Sequence, residues 1–396
     1  MHPKPLAIAI YTDIGRGHPS YLDSVLQSLR WHHKDLFQQI ELTSVFEMSS
    51  GLSLSAWKAV HAAYRIGSRG GLISRLYSGF RSSQSEFNPN SAVVRILQRD
   101  LLTRLSDYKG ICIVAHPLLA NMLKKKHRVF YVHGEISAPP ESAVRDIERI
   151  YVPLGMTAEK MKSYGVDPEY IVKTGLVIEP MILNDLSGVI FDRQMRLDTR
   201  EMKPTVGFAI SGAYPRAHVR YMTEAALSLL EYGCRVRFFW GSNITEADRL
   251  ETELRKAEVE VVITSVPYDP VHFDRAVLIT AQREIETTIS TKYIPQLDLL
   301  VAAPHERNNW AVGAGLPIAA LTPTIGSFAP ENLKYILERG CGFAVSTDEP
   351  ASKLVTQIIQ LTKTGKLVDM VRSGTTMKNI KGAKRIADDI AEKLQA

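Results

Sequence analysis

Three short peptides carry the residues best suited to chemistry. Gly15-Arg16-Gly17-His18 follows the apolar run LAIAIY at 6–11 and opens a helical pattern. Glycines there permit a tight turn and close approach of a ligand to the backbone, while free N–H groups at the helix start attract anions. His116-Pro117-Leu118 follows the run ICIVA at 111–115, and His133-Gly134-Glu135 follows VFYV at 129–132. Each histidine thus falls at the carboxyl end of a predicted strand, where the loops of an α/β sheet build ligand sites. Imidazole exchanges a proton near neutral pH, so the set suits general acid–base work, with His18, His116 and Glu135 as candidate catalytic residues. Capping, packing and plain strand termination are the competing explanations for each residue taken singly. The glycine turn lacks the full Gly-x-Gly-x-x-Gly fingerprint, and no acid follows at the expected place on a second strand, which argues against NAD.

The elements that must position these residues alternate between short apolar runs and amphipathic helical patterns. That alternation is the mark of an α/β fold with parallel sheets, and unbroken apolar strands imply helices on both faces. A first series runs through 6–11, 111–115, 129–132 and 150–152, with a helix from 19 to about 30 carrying Leu22, Val25, Leu26 and Leu29. After a polar stretch at 192–204, a second series runs through 205–210, 235–240, 259–263, 297–301 and 317–321. The tail from 378 to 394 reads as a terminal amphipathic helix. Two doubly wound halves facing a central cleft account for the order most simply. The expected boundaries are a first domain at 1–185, a second at 204–375 and a terminal helix at 376–396 that packs back on the first domain.

Composition narrows the function classes. The 396 residues are 45% hydrophobic and 23% charged, which is globular usage. With 48 Lys and Arg against 42 Asp and Glu, the net charge is only +6, and the charges are mixed through most of the chain. A dedicated nucleic-acid partner is therefore not expected, whereas a phosphate ligand or an anionic membrane surface is compatible. Cys112, Cys234 and Cys341 lie far apart with no Cys-x-x-Cys pair, which argues for reduced packing thiols in a reducing compartment and against structural zinc. No apolar run approaches the ~20 residues of a membrane span, and the first residues lack a signal-peptide pattern. The expected location is cytoplasmic, with peripheral contact at the inner face of a membrane left open.

That contact is suggested by 50–87, where Lys58, Arg65, Arg69, Arg75 and Arg81 face a single acid, Glu86. Trp57, Tyr64, Leu72, Ile73, Leu76, Tyr77 and Phe80 are interleaved with the bases. A basic amphipathic helix lays its apolar face into the lipid interface while its cations meet anionic headgroups. Two ordinary helices packed on the first domain, with a solvated basic face, explain the same composition. Trp57, Tyr64, Arg65, Arg69 and Arg75 are the residues on which acceptor or membrane contact would rest.

The motifs together resemble the GT-B glycosyltransferases of the group containing monogalactosyldiacylglycerol synthases, processive diacylglycerol glucosyltransferases and the peptidoglycan GlcNAc transferase MurG. Gly15, Gly17 and His18 match their Gly-x-Gly-His turn, and His116-Pro117-Leu118 matches the His-Pro-Leu of the glycerolipid members. The stretch 150–180 is similar to the closing segment of their first domain. In the second half Ser211-Gly212-Ala213 resembles a phosphate-contacting loop, and GAGLPIAAL at 313–321, with Asn332, Gly340 and Gly342, resembles the donor region. The chain departs from the family where Pro304-His305-Glu306-Arg307-Asn308-Asn309-Trp310 replaces the usual Gly-Gly-Thr turn. Trp310 stands near the place of the ribose-binding Glu, and Phe328 and Ala329 stand where a sugar-binding Gln/Glu pair is usual.

The resemblance implies a metal-independent hexosyltransferase without cofactor, moving a sugar from a nucleotide-diphosphate donor, a UDP-sugar foremost, to an acceptor hydroxyl such as that of a lipid. Gly17, Ser211, Gly212, Ala213, Glu306, Asn308, Asn309, Glu331 and Asn332 would then hold the donor, with carboxylate and amide groups suited to ribose and sugar hydroxyls. Two alternatives share the same frame: a nucleotide-sugar epimerase or hydrolase, and a relative that binds nucleotide or lipid without turnover.

Overall fold

The computed structural model describes residues 5–12, 17–67, 91–199, 203–266, 275–281 and 283–395. The chain forms two compact units, Met1–Pro180 with Asn379–Ala396, and Met181–Lys378. Each is built on one parallel sheet.

In the first unit the strands are β1 (Ala7–Tyr11), β2 (Ile40–Ser44), β3 (Ile111–Val114), β4 (Arg128–Val132), β5 (Arg149–Val152) and β6 (Ile171–Lys173). Their spatial order is β2-β1-β3-β4-β5-β6, all parallel. The central strands are apolar because both faces are covered. On one face the helix Gly17–His32 buries Tyr21, Leu22, Val25, Leu26 and Leu29, alongside Ala383, Ile386, Ala387 and Ile390 of the terminal helix Gly382–Gln395. The other face is packed by Trp57, Leu97, Leu101, Leu119, Leu123 and Met161.

The terminal segment therefore belongs to the first unit, and backbone contact holds it there. Leu176 N–H donates to the Asn379 carbonyl at 2.7 Å, and Gly382 N–H to the Leu176 carbonyl at 2.9 Å. Gly175 adopts φ +95°, and a Cβ on either Gly175 or Gly382 would collide with the opposing backbone. Glycine is the residue that lets two chain segments approach so closely.

The second unit holds β7 (Thr205–Ala209), β8 (Arg235–Phe239), β9 (Val261–Thr264), β10 (Ala276–Ile279), β11 (Leu299–Ala302), β12 (Ile318–Thr322) and β13 (Gly342–Ser346). Their order is β13-β12-β11-β7-β8-β10-β9, again all parallel. The core stacks Phe208, Phe238, Tyr221, Leu229, Leu299 and Leu354 between sheet and helices.

The helix Leu186–Asp198 carries the most demanding group in this unit. Arg193 is fully buried, and its guanidinium donates to the carbonyls of Leu297 (2.6 Å), Ala314 (3.0 Å), Gly315 (2.8 Å) and Ile294 (3.0 Å). One turn on, Arg196 pairs at 3.0 Å with buried Asp298, whose other oxygen accepts the Thr205 N–H at 2.8 Å. A buried cation is tolerated only when its donors are satisfied, and here four backbone acceptors do so. Arg193→Ala should therefore cost about 3–5 kcal/mol by stranding those carbonyls. Arg193→Lys, keeping the charge without the fork, should fall between the two. Urea unfolding followed by tryptophan fluorescence measures both, and a wild-type midpoint for Arg193→Ala would refute the assigned role.

Candidate functional site

In an open parallel sheet the ligand crevice forms where successive connections leave in opposite directions. In the first unit that point lies between β1 and β3, since β2 lies on one side of β1 and β3 on the other. The segments leaving these two strands carry His18 and His116. The rings meet edge to face, their centroids 4.8 Å apart at 64°. His18 lies half-buried at the start of the helix Gly17–His32, whose Asp23 accepts from the Tyr11 hydroxyl at the end of β1 (2.7 Å). His116 caps the helix Pro117–Leu123: its Nδ1 accepts the Leu118 N–H at 3.1 Å, with Pro117 in the first helical position. A capping Nδ1 leaves the ring proton on Nε2 in the neutral form. Gly15 and Arg16 lie outside the described residues.

The third strand-tip histidine has a different role. His133 is sealed from solvent, with Nε2 at 2.9 Å from the Ser137 carbonyl and Nδ1 at 3.1 Å from the Tyr131 hydroxyl. Both nitrogens are engaged in holding the 133–137 turn, so the three-histidine set contracts to two. Burial pushes the His133 pKa down to about 4. Glu135, two residues on, is buried on the same turn, whose Gly134 backbone lies against the Tyr21 ring of the His18 helix. Its charge adds to burial in holding the Tyr131 hydroxyl protonated.

In the second unit the corresponding point lies between β7 and β11. The 211–215 loop leaves β7 through a turn in which Tyr214 takes φ +50°, a strained conformation for a residue with a side chain. The Tyr214 hydroxyl bonds the Trp240 carbonyl and the Tyr214 N–H donates to Ser211. Ser211 and Gly212 are half-buried, Ala213 is buried, and the helix Arg216–Tyr232 follows directly. His218 in its first turn is buried, and among the described residues its Nδ1 meets no hydrogen-bond partner. Burial first, then His305, hold the His218 pKa down to about 4, against the Pro323 carbonyl that favours the protonated ring.

The loop after β11 brings Glu306 and Arg307 beside one another at 3.8 Å, with the Arg307 guanidinium 4.5 Å from the Trp310 ring and 5.8 Å from that of Phe239. Trp310, at the position of the missing ribose Glu, is thus a stacking partner for Arg307. Asn308 and Asn309 are buried, and among the described residues the polar atoms of the Asn308 amide meet no hydrogen-bond partner. Asn332 is fully buried and its amide donates to the Pro304 carbonyl at 3.2 Å, so it shapes this loop from within. Glu331 is half-buried in the first turn of the helix Ala329–Arg339.

The acceptor and membrane residues fare differently. Trp57 is fully buried, its Nε1–H donating to the Leu97 carbonyl at 3.1 Å, and Tyr64 packs against the same core. These contacts correct the surface role expected of Trp57: its helix, Gly51–Gly67, packs on Ala92–Arg104. Arg69, Arg75 and the side chain of Arg65 lie outside the described residues. Among the described residues no helix is long and apolar enough to cross a membrane.

No protein-family model matches the chain, and neither does any curated protein sequence. Solved structures do match it end to end. The UDP-GlcNAc 2-epimerase of Neisseria meningitidis, bound to UDP-GlcNAc, is 14% identical with a TM-score of 0.57, over 98% of this chain and 99% of that one. Another UDP-N-acetylglucosamine 2-epimerase is 13% identical with a TM-score of 0.52, over 99% and 95%. MurG of Acinetobacter baumannii is 11% identical with a TM-score of 0.52, over 98% and 100%.

The fold is GT-B. The comparisons also correct the expectation of sugar transfer, because the Neisseria epimerase, at a TM-score of 0.57, is matched better than the transferase MurG, at 0.52. The epimerase alternative is the better matched of the two.

The two sealed histidines give a signed pH dependence. A histidine with a native pKa near 4 and an ordinary value near 6.5 lets the unfolded chain bind more protons in between. Its stabilising effect is therefore complete above about pH 6.5 and is lost as the pH falls toward 4, by about 3 kcal/mol for each group. Thermal unfolding from pH 8 to 4 should show this decline, and His133→Gln should flatten it. An unchanged slope in that variant would exclude a buried neutral His133.

Proposed function

We propose that the protein is a nucleotide-sugar epimerase acting on a UDP-sugar. The observation that carries the reading is the contact between His18 and His116 at the first switch point. Inverting a carbon centre breaks a C–H bond and remakes it on the other face, so the site needs a group that takes a proton and a second group to balance charge. Where that carbon adjoins the anomeric centre, the nucleoside diphosphate can leave as the proton departs and rejoin as it returns. Atoms and electrons then balance with no acceptor and no redox cofactor.

His18 is assigned the proton transfer. His116, with Nδ1 committed to its helix, offers Nε2–H as a donor. The second switch point suits the nucleotide: a strained turn at 211–215, the N–H groups of the helix start and the Glu306 carboxylate. The epimerase structures of the same fold support the reading, one of them with UDP-GlcNAc bound. The shared Gly-x-Gly-His and His-Pro-Leu motifs of the glycerolipid enzymes contribute the common frame only.

The test is incubation of the full chain with UDP-GlcNAc alone in D2O, followed by proton NMR. A second UDP-sugar should accumulate, and deuterium should enter at the inverted carbon. His18→Ala should slow this at least ~100-fold, the usual size of a lost general base. Release of free sugar and UDP would indicate a hydrolase. No change in UDP-, GDP-, TDP- or CDP-sugars would overturn the proposal.

A further inference from the structure

At the opposite end of the first sheet, where strands begin, a second concave site lies away from the histidine pair. The chain enters β4 through Lys124-Lys125-Lys126-His127-Arg128, five basic residues in succession. With 146–148, which lead into β5, residues 124–129 line a groove of about 340 Å³. Small-ligand sites run from about 300 to 1,000 Å³.

The charges in this groove are unevenly matched. Glu148 is taken up by Arg128 in a two-pronged pair, at 2.8 and 2.6 Å. Lys124 donates to the Arg145 carbonyl at 2.7 Å. Burial, Lys125 and Arg145 disfavour its charge, while Asp146 supports it. Lys125 and Lys126 are exposed and form no ion pair among the described residues. His127 completes the cluster. Its ring nitrogens are buried, and the Tyr108 carbonyl beside the ring favours its protonated form. Burial, Lys109 and Lys126 act in the other direction. A run of cations held together at a cost is relieved by a multiply charged anion.

We propose that this groove binds a small, soluble diphosphate-type anion, with Lys125 and Lys126 supplying charge beside the His127 ring. Its concave shape favours that class, because neither a continuous nucleic-acid backbone nor a planar lipid surface would enter a concavity of this size. The site is independent of the epimerase reading, because it uses neither switch point.

The experiment follows the His127 ring Cε1–H resonance in the full chain, assigned by its loss in His127→Gln. Inorganic pyrophosphate at low salt should shift the resonance and raise the His127 pKa, so affinity should rise as the pH falls from 8 to 6. Lys125→Glu with Lys126→Glu should weaken binding at least tenfold, whereas His18→Ala should leave it unchanged. A resonance indifferent to ~10 mM pyrophosphate would overturn the proposal. So would a shift produced only by phosphatidylglycerol vesicles or only by single-stranded DNA.

Discussion

A single guanidinium sets the geometry of the second unit. Arg193 fills the space between the segment that precedes β11 and the turn at 314–315 that precedes β12, tying both to the helix Leu186–Asp198 through four backbone carbonyls. Burial lowers its pKa to about 10, so it stays charged at neutral pH. Beside it Asp298 joins Arg196 to the Thr205 N–H at the start of β7. Burial raises the Asp298 pKa despite these partners, as expected for a carboxylate removed from water. The two strands that flank the switch point are thus registered at their amino ends by charge and hydrogen bonds. Their carboxyl ends, and the loops that carry Ser211 and Glu306, inherit that register.

The first unit reaches a similar arrangement by different means. There the registering contacts are apolar, with helices Gly17–His32 and Gly382–Gln395 side by side on the sheet, and polar bonds such as Tyr151 hydroxyl to Asp389 at 2.7 Å. Because the terminal helix comes from the far end of the chain, folding of this unit depends on residues separated by most of the sequence. The division of histidines follows from the same packing. His133 and His218 are enclosed and neutral, while His18 and His116 lie half-buried and in ring contact at the strand ends.

Local patterning made much of this legible. Strands β1, β3, β4, β5, β7, β8, β9, β11 and β12 announce themselves as apolar runs. Strand β2 does not, because as an edge strand it buries little beyond Ile40, and β6 is a three-residue edge strand with Lys173 exposed. Strand β10 is fully buried and as apolar as the strands around it, so nothing in its local sequence conceals it. The Gly17-His18 and His116-Pro117 turns were readable because a glycine or proline beside a histidine at the end of a strand is a local signal. Trp57 misled because an aromatic among bases has the same composition whether it faces lipid or core. Arg193 gave no signal at all: its four partners lie about a hundred residues or more away along the chain.

The mild net charge of +6 hid the basic run at 124–128 within an otherwise mixed background. Sequence alone determined two parallel α/β series, the strand-tip position of His18 and His116, and the absence of a cysteine framework. These follow from the period of burial and from chain chemistry within a few residues. Only the tertiary structure decided which histidines are sealed and which are paired, that Trp57 belongs to the core, and that the lysines form a groove where strands β4 and β5 begin. It also placed this chain with a fold shared by epimerases and transferases, which the motifs could not separate, because one backbone frame serves several reactions. Burial and partnership are properties of three-dimensional neighbours, and residues far apart in sequence supply most of them.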